Sequence, residues 1–248
     1  MSAGRRRLVS PGTFWYHATQ EVIGVKVTYG GHACFLVENH GTSLIIDPFL
    51  TGNPVATIKP ESVKVSYVLV THAHEDHFGD AVAIAKRNDA TFISTFEVAQ
   101  LAASQGVRVH GMHIGGKYAF PFGTVRVTLA LHGSGVAGGH ACGFVVDLFG
   151  QKLYHAGDTG LYSDLKLLNG DLERDIDVAL LPIGGNYTMT LDDARVATSW
   201  VRPRIVIPMH YNTWPLIAAD PQEFKARVES DTAGTEVRIL KPGESTEL

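Results

Sequence analysis

The sequence predicts an α/β (α+β) fold in which helices cover the faces of β-sheets. Regular patterning begins at Val25 with short strands joined by turns, and no helix lies between them. Apolar strands then alternate with helix-like segments, an order typical of sheets packed against helices. No linker rich in serine, proline or glycine interrupts this pattern. We therefore expect one domain over residues 25–248, preceded by an N-terminal extension over residues 1–24.

The strands are predicted from two kinds of apolar pattern. Val25, Val27 and Tyr29 alternate with polar residues, which is typical of a half-buried strand, whereas other segments are short continuous apolar runs. In chain order, the predicted strands cover residues 25–29, 34–38, 43–47, 67–70, 91–94, 125–131, 143–148, 153–155, 178–182, 204–208 and 237–240. The last of these is expected to close the chain.

The helices are predicted from apolar spacing and from residues that favour helix starts. Four helices are expected, over residues 79–86 and 96–104 and from residues 191 and 221 onward. Thr190 is the expected N-cap of the third helix, and the charge of Asp193 suits a helix N-terminus. Asp220 followed by Pro221 predicts the start of the fourth helix, because an acidic N-cap and a proline at the first position favour it.

Composition and charge narrow the function classes. The chain has 248 residues and a formal net charge of −4, which disfavours nucleic acid as a partner. Cys34 and Cys142 sit among small or apolar residues, so we expect reduced thiols and a cytoplasmic protein. Neither a secretory signal nor a run of about 18 apolar residues occurs, so no membrane span is expected. A small molecule is the expected substrate, and homo-oligomerisation stays open.

Four potential metal ligands lie close together after the predicted strand at 67–70. They are His72, His74, Asp76 and His77. His72 and His74 are two residues apart, so both side chains can point to one side of an extended backbone. Asp76 and His77 then fall in a turn or a helix entry. Imidazole and carboxylate are good zinc ligands, so this segment predicts a metal site rather than a loop whose histidines only bind backbone groups.

Three further potential ligands each follow a predicted strand. His132 follows residues 125–131, Asp158 lies just after residues 153–155, and His210 follows residues 204–208. Loops at strand ends are where such folds collect functional groups. Their convergence on the first cluster depends on tertiary folding, which the spacing alone does not fix.

The segment from His72 to His77 resembles the HxHxDH signature of the metallo-β-lactamase superfamily. His132, Asp158 and His210 match the order in which that superfamily supplies its remaining ligands. The segments 46–54, 154–160, 181–185 and 208–213 resemble one branch, the metal-dependent hydrolases related to L-ascorbate-6-phosphate lactonase. The resemblance extends from about residue 25 to the C-terminus. It implies a four-layer αββα sandwich with metals at one edge of the two sheets.

The resemblance also implies a role for each ligand. His72, His74 and His132 are expected to hold one divalent ion, Asp76, His77 and His210 a second, and Asp158 to bridge both. Zinc is favoured, with manganese, nickel or iron as alternatives. Asp76 and Asp158 are the expected catalytic residues, with Asp158 spanning the ions and Asp76 able to shuttle a proton. The implied reaction is hydrolysis of an ester, lactone, phosphodiester or amide by a metal-bridging hydroxide.

Supporting residues are less constrained by the sequence. Asp47 and His32 are candidates for orienting the imidazoles. The proton donor to the leaving group stays open among Tyr211, Asn186, Tyr187 and His140. Phosphate recognition would need cations at the site, and Lys117, Lys152 and Arg204 are the candidates.

Three other functions compete with hydrolysis of a small molecule. An iron-dependent oxidoreductase can use the same scaffold, although its relatives usually involve a flavin domain or a sulfur substrate, and this chain has no spare segment for a flavin domain. A metal-dependent nuclease would want an inserted domain or a basic patch. A metal-binding protein without catalysis is the third. Metal content separates the oxidoreductase from the hydrolase.

Overall fold

A computed structural model describes residues 24–170, 172–173 and 175–248. The predicted extension over residues 1–24 lies outside the described residues except for Gly24, so its boundary with the domain stays a prediction. Within the described part of the chain, none of the helices has the length and apolar character needed to cross a bilayer.

The described residues form fourteen strands. These are β1 (Lys26–Gly31), β2 (Cys34–Asn39), β3 (Thr42–Ile46), β4 (Tyr67–Leu69), β5 (Thr91–Thr95), β6 (Val109–Met112), β7 (Lys117–Phe120), β8 (Gly123–Leu129), β9 (Cys142–Leu148), β10 (Gln151–His155), β11 (Val178–Pro182), β12 (Ile205–Met209), β13 (Glu236–Val237) and β14 (Ser245–Glu247). The helices are α1 (Glu75–Phe78), α2 (Ala81–Asn88), α3 (Phe96–Ala103), α4 (Leu191–Val201) and α5 (Pro221–Asp231), with short 3-10 helices at Pro60–Ser62, Ser163–Leu168 and Pro215–Ile217.

The strands build two mixed sheets of seven strands each. The first has the spatial order β14-β1-β2-β3-β4-β5-β6, and the second has the order β13-β12-β11-β10-β9-β8-β7. In the first sheet, pairing is antiparallel from β14 to β3 and parallel from β3 to β6. In the second, it is antiparallel from β7 to β10 and parallel from β10 to β13. The carboxyl ends of β3, β4, β10 and β12 are where the site assembles.

Apolar side chains hold the layers together. The cluster between the sheets includes Val27, Phe35, Leu44, Phe144, Leu180 and Ile207, all of which are buried. On the other face of the first sheet, Ile45 and Phe92 pack with Ile84 of α2 and Val98 of α3. The helices α4 and α5 extend the first cluster across the second sheet. Each such side chain contributes about 1.5–3 kcal/mol when fully buried, so the four layers are mutually stabilising.

The predicted fold class is confirmed, and both long C-terminal helices begin where expected. Thr190 and Asp193 form a reciprocal capping box at the start of α4. Asp220 accepts a hydrogen bond from the backbone N–H of Gln222 at the start of α5, and Pro221 occupies the first helical position.

Several elements differ from the prediction. Gly79 does not start α2, which begins at Ala81; it ends the one-turn helix α1 with a φ of +28°. A Cβ at this position would lie 2.8 Å from the carbonyl oxygen of Pro48, so these two segments of the backbone approach too closely for any residue other than glycine. The last predicted strand shortens to β13, and β14 closes the chain instead by pairing with β1. The strands β6, β7 and β14 were not predicted because they are short and lack a regular apolar alternation.

Candidate metal centre

All seven predicted ligands converge at one edge of the two sheets. Asp47 follows β3, His72 follows β4, His132 follows β8, Asp158 follows β10 and His210 follows β12. A cavity of about 340 Å³ opens here and is lined by His74, Asp76, His132, Asp158, Tyr187, His210 and Trp214. The two predicted ligands that do not line this cavity, His72 and His77, are buried beneath it. The fold therefore supplies the convergence that the sequence spacing could not fix.

The first group of nitrogens comes from His72, His74 and His132. The Nε2 atom of His72 lies 2.9 Å from Nδ1 of His74, and Nε2 of His132 lies 3.3 Å from the same atom. Ligands at about 2.1 Å in a tetrahedral site are about 3.4 Å apart, so these three nitrogens are close to the spacing that one ion requires. His72 is fully buried, whereas His74 and His132 are partly exposed to the cavity.

The second group combines Asp76, His77 and His210, and the structure adds His32 to it. The Nε2 atoms of His77 and His210 each lie 3.9 Å from Oδ2 of Asp76. The one-turn helix α1 points the neighbouring side chains of Asp76 and His77 in different directions. His77 enters the buried interior, whereas Asp76 stays about 27% exposed at the cavity.

Asp158 lies between the two groups. Its Oδ2 atom is 3.1 Å from Nε2 of His210 and 3.6 Å from Nε2 of His132, while Oδ1 is 3.2 Å from Nε2 of His77. The carboxylate is only 3% exposed. Gly157 permits this placement, because its φ is +63° and a Cβ there would lie 2.4 Å from the carbonyl oxygen of Cys142.

The predicted orienting role of Asp47 has a clear geometric basis. Its carboxylate accepts hydrogen bonds from the backbone N–H and the hydroxyl of Thr71, both at 2.7 Å, and from Nδ1 of His77 at 2.8 Å. Since the Thr71 hydroxyl donates to Asp47, it accepts from Nδ1 of His72, 3.0 Å away. Both imidazoles are thereby fixed with Nε2 directed toward the site.

His32 faces the site from the turn between β1 and β2. Its Nε2 atom lies 3.1 Å from Oδ2 of Asp76, and its Nδ1 atom lies 2.8 Å from the hydroxyl of Thr213. A carboxylate only accepts hydrogen bonds, so Nε2 carries the proton and Nδ1 accepts from Thr213. In this arrangement Nε2 has no lone pair for an ion, which makes His32 a positioning residue for Asp76 rather than a ligand.

Three of these polar residues have left-handed backbone conformations. The φ angles are +60° for His32, +46° for Asp47 and +53° for His210. Such conformations cost non-glycine residues about 1–2 kcal/mol each and concentrate where function requires a particular side-chain direction. Backbone hydrogen bonds hold them: the N–H of His210 donates to the carbonyl of His32, and the N–H of Asp47 donates to that of Leu69.

Burial and charge set the pKa values of the site. Burial lowers the pKa of His32 to about 4 and also lowers that of His132, so both rings are neutral at pH 7. Burial acts on His77 in the same direction, but the carboxylates of Asp158 and Asp47 outweigh it and raise its pKa well above the ordinary value. For Asp158, burial alone would raise the pKa, but the facing imidazoles lower it well below the ordinary range.

The residues fit a metal centre. Among the described residues, Nε2 of His77, Oδ1 of Asp158 and both ring nitrogens of His210 are buried without a hydrogen-bond partner. A buried polar atom left unsatisfied costs about 1–3 kcal/mol, so several such atoms facing one place favour a bound cation. Imidazole nitrogen and carboxylate oxygen are also the ligand types of zinc and similar divalent ions.

The structure separates the four proton-donor candidates. Tyr187 lines the cavity. The side chain of Tyr211 packs partly buried against the core, and burial raises its pKa. Asn186 and His140 are exposed and do not line the cavity. His155 is fully buried between the carbonyl of Ala33 and the N–H of Gly157, so it orients the loop that carries Asp158.

Sequence comparisons agree with the geometry. A family model described as a β-lactamase superfamily domain matches residues 26–210. A UPF0173 metal-dependent hydrolase of Symbiobacterium thermophilum is 53% identical over 225 residues, which cover 90% of this chain and all of the relative. The chain is a metal-dependent hydrolase of the metallo-β-lactamase superfamily.

Solved structures support the fold of this hydrolase. Igni18, a metallo hydrolase from the archaeon Ignicoccus hospitalis, is 42% identical with a TM-score of 0.84, over 90% of this chain and 98% of its own. CmlA, a diiron β-hydroxylase from Streptomyces venezuelae, is 12% identical with a TM-score of 0.71, over 91% of this chain and 54% of its own. At that identity the second likeness shows a shared fold only.

Proposed function

We propose that this hydrolase is binuclear and cleaves an ester, lactone, phosphodiester or amide in a small molecule. His72, His74 and His132 would hold one ion, and Asp76, His77 and His210 the second. The observation that carries the proposal is the position of Asp158, whose Oδ2 lies within 3.6 Å of Nε2 atoms from both groups. A buried carboxylate in that position is suited to bridging two cations.

Zinc is the proposed metal, because a donor set of five imidazoles and two carboxylates suits it well. Two divalent ions held by these residues would supply a hydroxide nucleophile at neutral pH, because such ions lower the pKa of water from ~15.7 to ~7. The chain itself orients His77 through Asp47, His72 through Thr71 and the loop of Asp158 through the buried His155.

Asp76 is the residue that we propose moves a proton. Burial would raise the pKa of Asp76, but the hydrogen bond from His32 and the charge of His77 hold it below its ordinary range. Asp76 is therefore a carboxylate at neutral pH, and it lines the cavity, where it can accept a proton from water and return it to the leaving oxygen or nitrogen. His32 fixes the direction of that carboxylate.

The cytoplasm is the proposed location of the enzyme. Both cysteines, Cys34 and Cys142, are buried and unpaired. Burial raises the pKa of each thiol, so neither is a reactive thiolate. Two buried reduced thiols suit a reducing compartment.

Metal content tests the proposal. We expect freshly purified protein, dialysed without chelator and analysed by elemental mass spectrometry, to hold two zinc ions per chain. Removal with a chelator should abolish hydrolysis, and zinc should restore it. Failure to take up any metal on reconstitution would overturn the proposal. Two iron ions instead of zinc would redirect it to the oxidoreductase chemistry that the same scaffold allows.

A further inference from the structure

Among the described residues, no lysine or arginine lines the cavity at the metal centre. Six segments carry the predicted ligands, Asp47 and the residues that line the cavity: 47–58, 71–80, 130–141, 156–162, 183–190 and 210–219. None of these described segments contains a lysine or an arginine, although the chain has 21 such residues. A phosphate or carboxylate that a substrate carries away from the reacting bond would therefore find no lysine or arginine of these segments to pair with.

The three cations that the sequence offered for phosphate recognition lie elsewhere. Lys117 and Lys152 both form ion pairs with Glu173, and Arg204 pairs with Asp177. None of the three lines the cavity.

Two aromatic side chains line the cavity beside the residues of the metal centre. Apart from the histidines and aspartates of the centre, the cavity is lined by Tyr187 and Trp214, which are 53% and 37% exposed. Large exposed aromatic faces beside a cavity are typical of ligand contacts, because they bury apolar area on binding. The ring of Trp214 also contacts His32 and Phe49, at centroid distances of 5.0 and 6.1 Å.

Short, internally bonded loops hold both rings. Tyr187 stands in a tight turn in which its N–H and the N–H of Thr188 donate to the carbonyl of Gly185. The turn is tied to the loop of Asp158, because the N–H of Met189 donates to the carbonyl of Thr159. In the loop that carries Trp214, the side-chain amide of Asn212 donates to the carbonyl of Ala219 and accepts from its N–H, which closes the loop.

We infer that the substrate is a neutral lactone or ester carrying an aromatic or alkyl group, which Tyr187 and Trp214 hold beside the metal centre. This rests on the proposed function. A cavity of about 340 Å³ accommodates a small molecule of this kind. Water supplies the oxygen that bonds to the carbonyl carbon, the ester C–O bond breaks, and a proton passes to the leaving oxygen. A lactone thus gives a hydroxy acid, with no oxidant or reductant.

Matched γ-butyrolactones test the inference on the zinc-loaded enzyme. They carry hydrogen, phenyl or carboxylate at the γ-carbon. The rate of ring opening is measured by the release of acid. We expect the phenyl compound to exceed the unsubstituted lactone in kcat/KM by about 10-fold or more, and the carboxylate compound to fall below it. Preference for the carboxylate lactone, or for bis(4-nitrophenyl) phosphate over the phenyl lactone, would overturn the inference.

Variants of Tyr187 test whether its aromatic ring causes the preference for the phenyl lactone. Tyr187→Ala should reduce the phenyl-to-hydrogen ratio of kcat/KM by about 10-fold, whereas Tyr187→Phe should keep it because the ring is retained. Tyr118→Ala is the matched control, since Tyr118 is 50% exposed on β7 and does not line the cavity. Tyr187→Arg should improve use of the carboxylate lactone by about fivefold. An unchanged ratio in Tyr187→Ala would contradict the assignment.

Binding separates this inference from the proposed hydrolysis. If no lactone is opened, the phenyl lactone serves as a ligand, and calorimetry compares its binding to wild type and Tyr187→Ala. Binding that depends on Tyr187 without turnover would retain the aromatic site and overturn the lactone and ester chemistry, whereas metal content tests the proposed binuclear centre independently. Turnover of lactones without a phenyl preference would support the proposed hydrolysis and overturn the aromatic site.

Discussion

Two buried carboxylates in this protein have similar exposure but different partners. Asp158, 3% exposed, faces imidazoles at one edge of the sheets. Glu173, 4% exposed, accepts from Lys117 at 2.9 Å and Arg126 at 2.8 Å, and Lys152 lies 3.6 Å away. Imidazole can be neutral and offer a lone pair to an ion, whereas ammonium and guanidinium groups only donate.

The difference in partners indicates which of the two buried carboxylates is available for chemistry. Around Glu173, permanently charged donors satisfy the carboxylate, so the cluster is closed and structural. Around Asp158, Oδ1 and the facing Nε2 of His77 have no hydrogen-bond partner among the described residues, so both atoms are free to face a cation. Replacing each carboxylate should therefore affect activity in one case and stability in the other.

The largest expected effect is that of Asp158→Ala on activity. Removing the ligand that faces both groups should lower kcat/KM by about 10³-fold or more and reduce bound metal below two ions per chain. Activity assays and elemental analysis measure the two effects, and circular dichroism checks that the variant is folded. Full activity with two bound ions in this variant would contradict the site assignment.

Asp47 should affect both stability and metal binding, because it is buried and holds His77 in place but does not line the cavity. Asp47→Ala leaves the N–H and hydroxyl of Thr71 and Nδ1 of His77 without their acceptor. We expect the free energy of unfolding to fall by about 3 kcal/mol and metal affinity to fall by about 10–100-fold. Urea unfolding and metal competition measure these values. Asp47→Asn, which keeps one acceptor, should give smaller losses of both, and equal losses would contradict the hydrogen-bonding role.

Glu173→Gln should affect stability alone. The variant removes the negative charge that three cations share, and we expect the free energy of unfolding to fall by about 1–2 kcal/mol, since the lysines are partly exposed to solvent. Metal content and kcat/KM should match wild type. Glu38→Gln is the control, because the Glu38–Lys26 pair is exposed and should contribute less than about 0.5 kcal/mol. A loss of activity in Glu173→Gln would remove the distinction between the two carboxylates.

The residues that converge at the site could be predicted from the sequence because they are close together in the chain or follow strong strand signals. His72 to His77 stand directly after β4, and Asp158 and His210 follow β10 and β12, whose apolar runs are unambiguous. Functional groups collect in loops at strand ends, so these local signals identified the residues, whereas the fold supplied their convergence.

Other parts of the site depend on contacts that no local pattern encodes. His32 reaches Asp76 only because its backbone adopts a φ of +60° in the β1–β2 turn, and the two residues are 44 positions apart. Tyr187 faces the cavity because of a turn tied to the neighbouring loop. Likewise β7 is mostly exposed and shows no alternation, so its place at a sheet edge follows from pairing with β8 rather than from its own residues.

The smallest expected effect is the pH dependence of the Glu173 cluster. Burial alone would raise the pKa of Glu173, but Arg126 and Lys117 lower it below its ordinary value. Glu173 therefore binds fewer protons in the folded state than in the unfolded state, and its contribution is fully present above the unfolded pKa of about 4.3. As the pH falls below that value and through the folded pKa, the contribution is lost. The difference in unfolding free energy between wild type and Glu173→Gln should thus be constant from pH 6 to 8 and shrink in urea titrations below about pH 4. A difference that persists unchanged into that acidic range would show that packing, and not the charge of Glu173, stabilises this cluster.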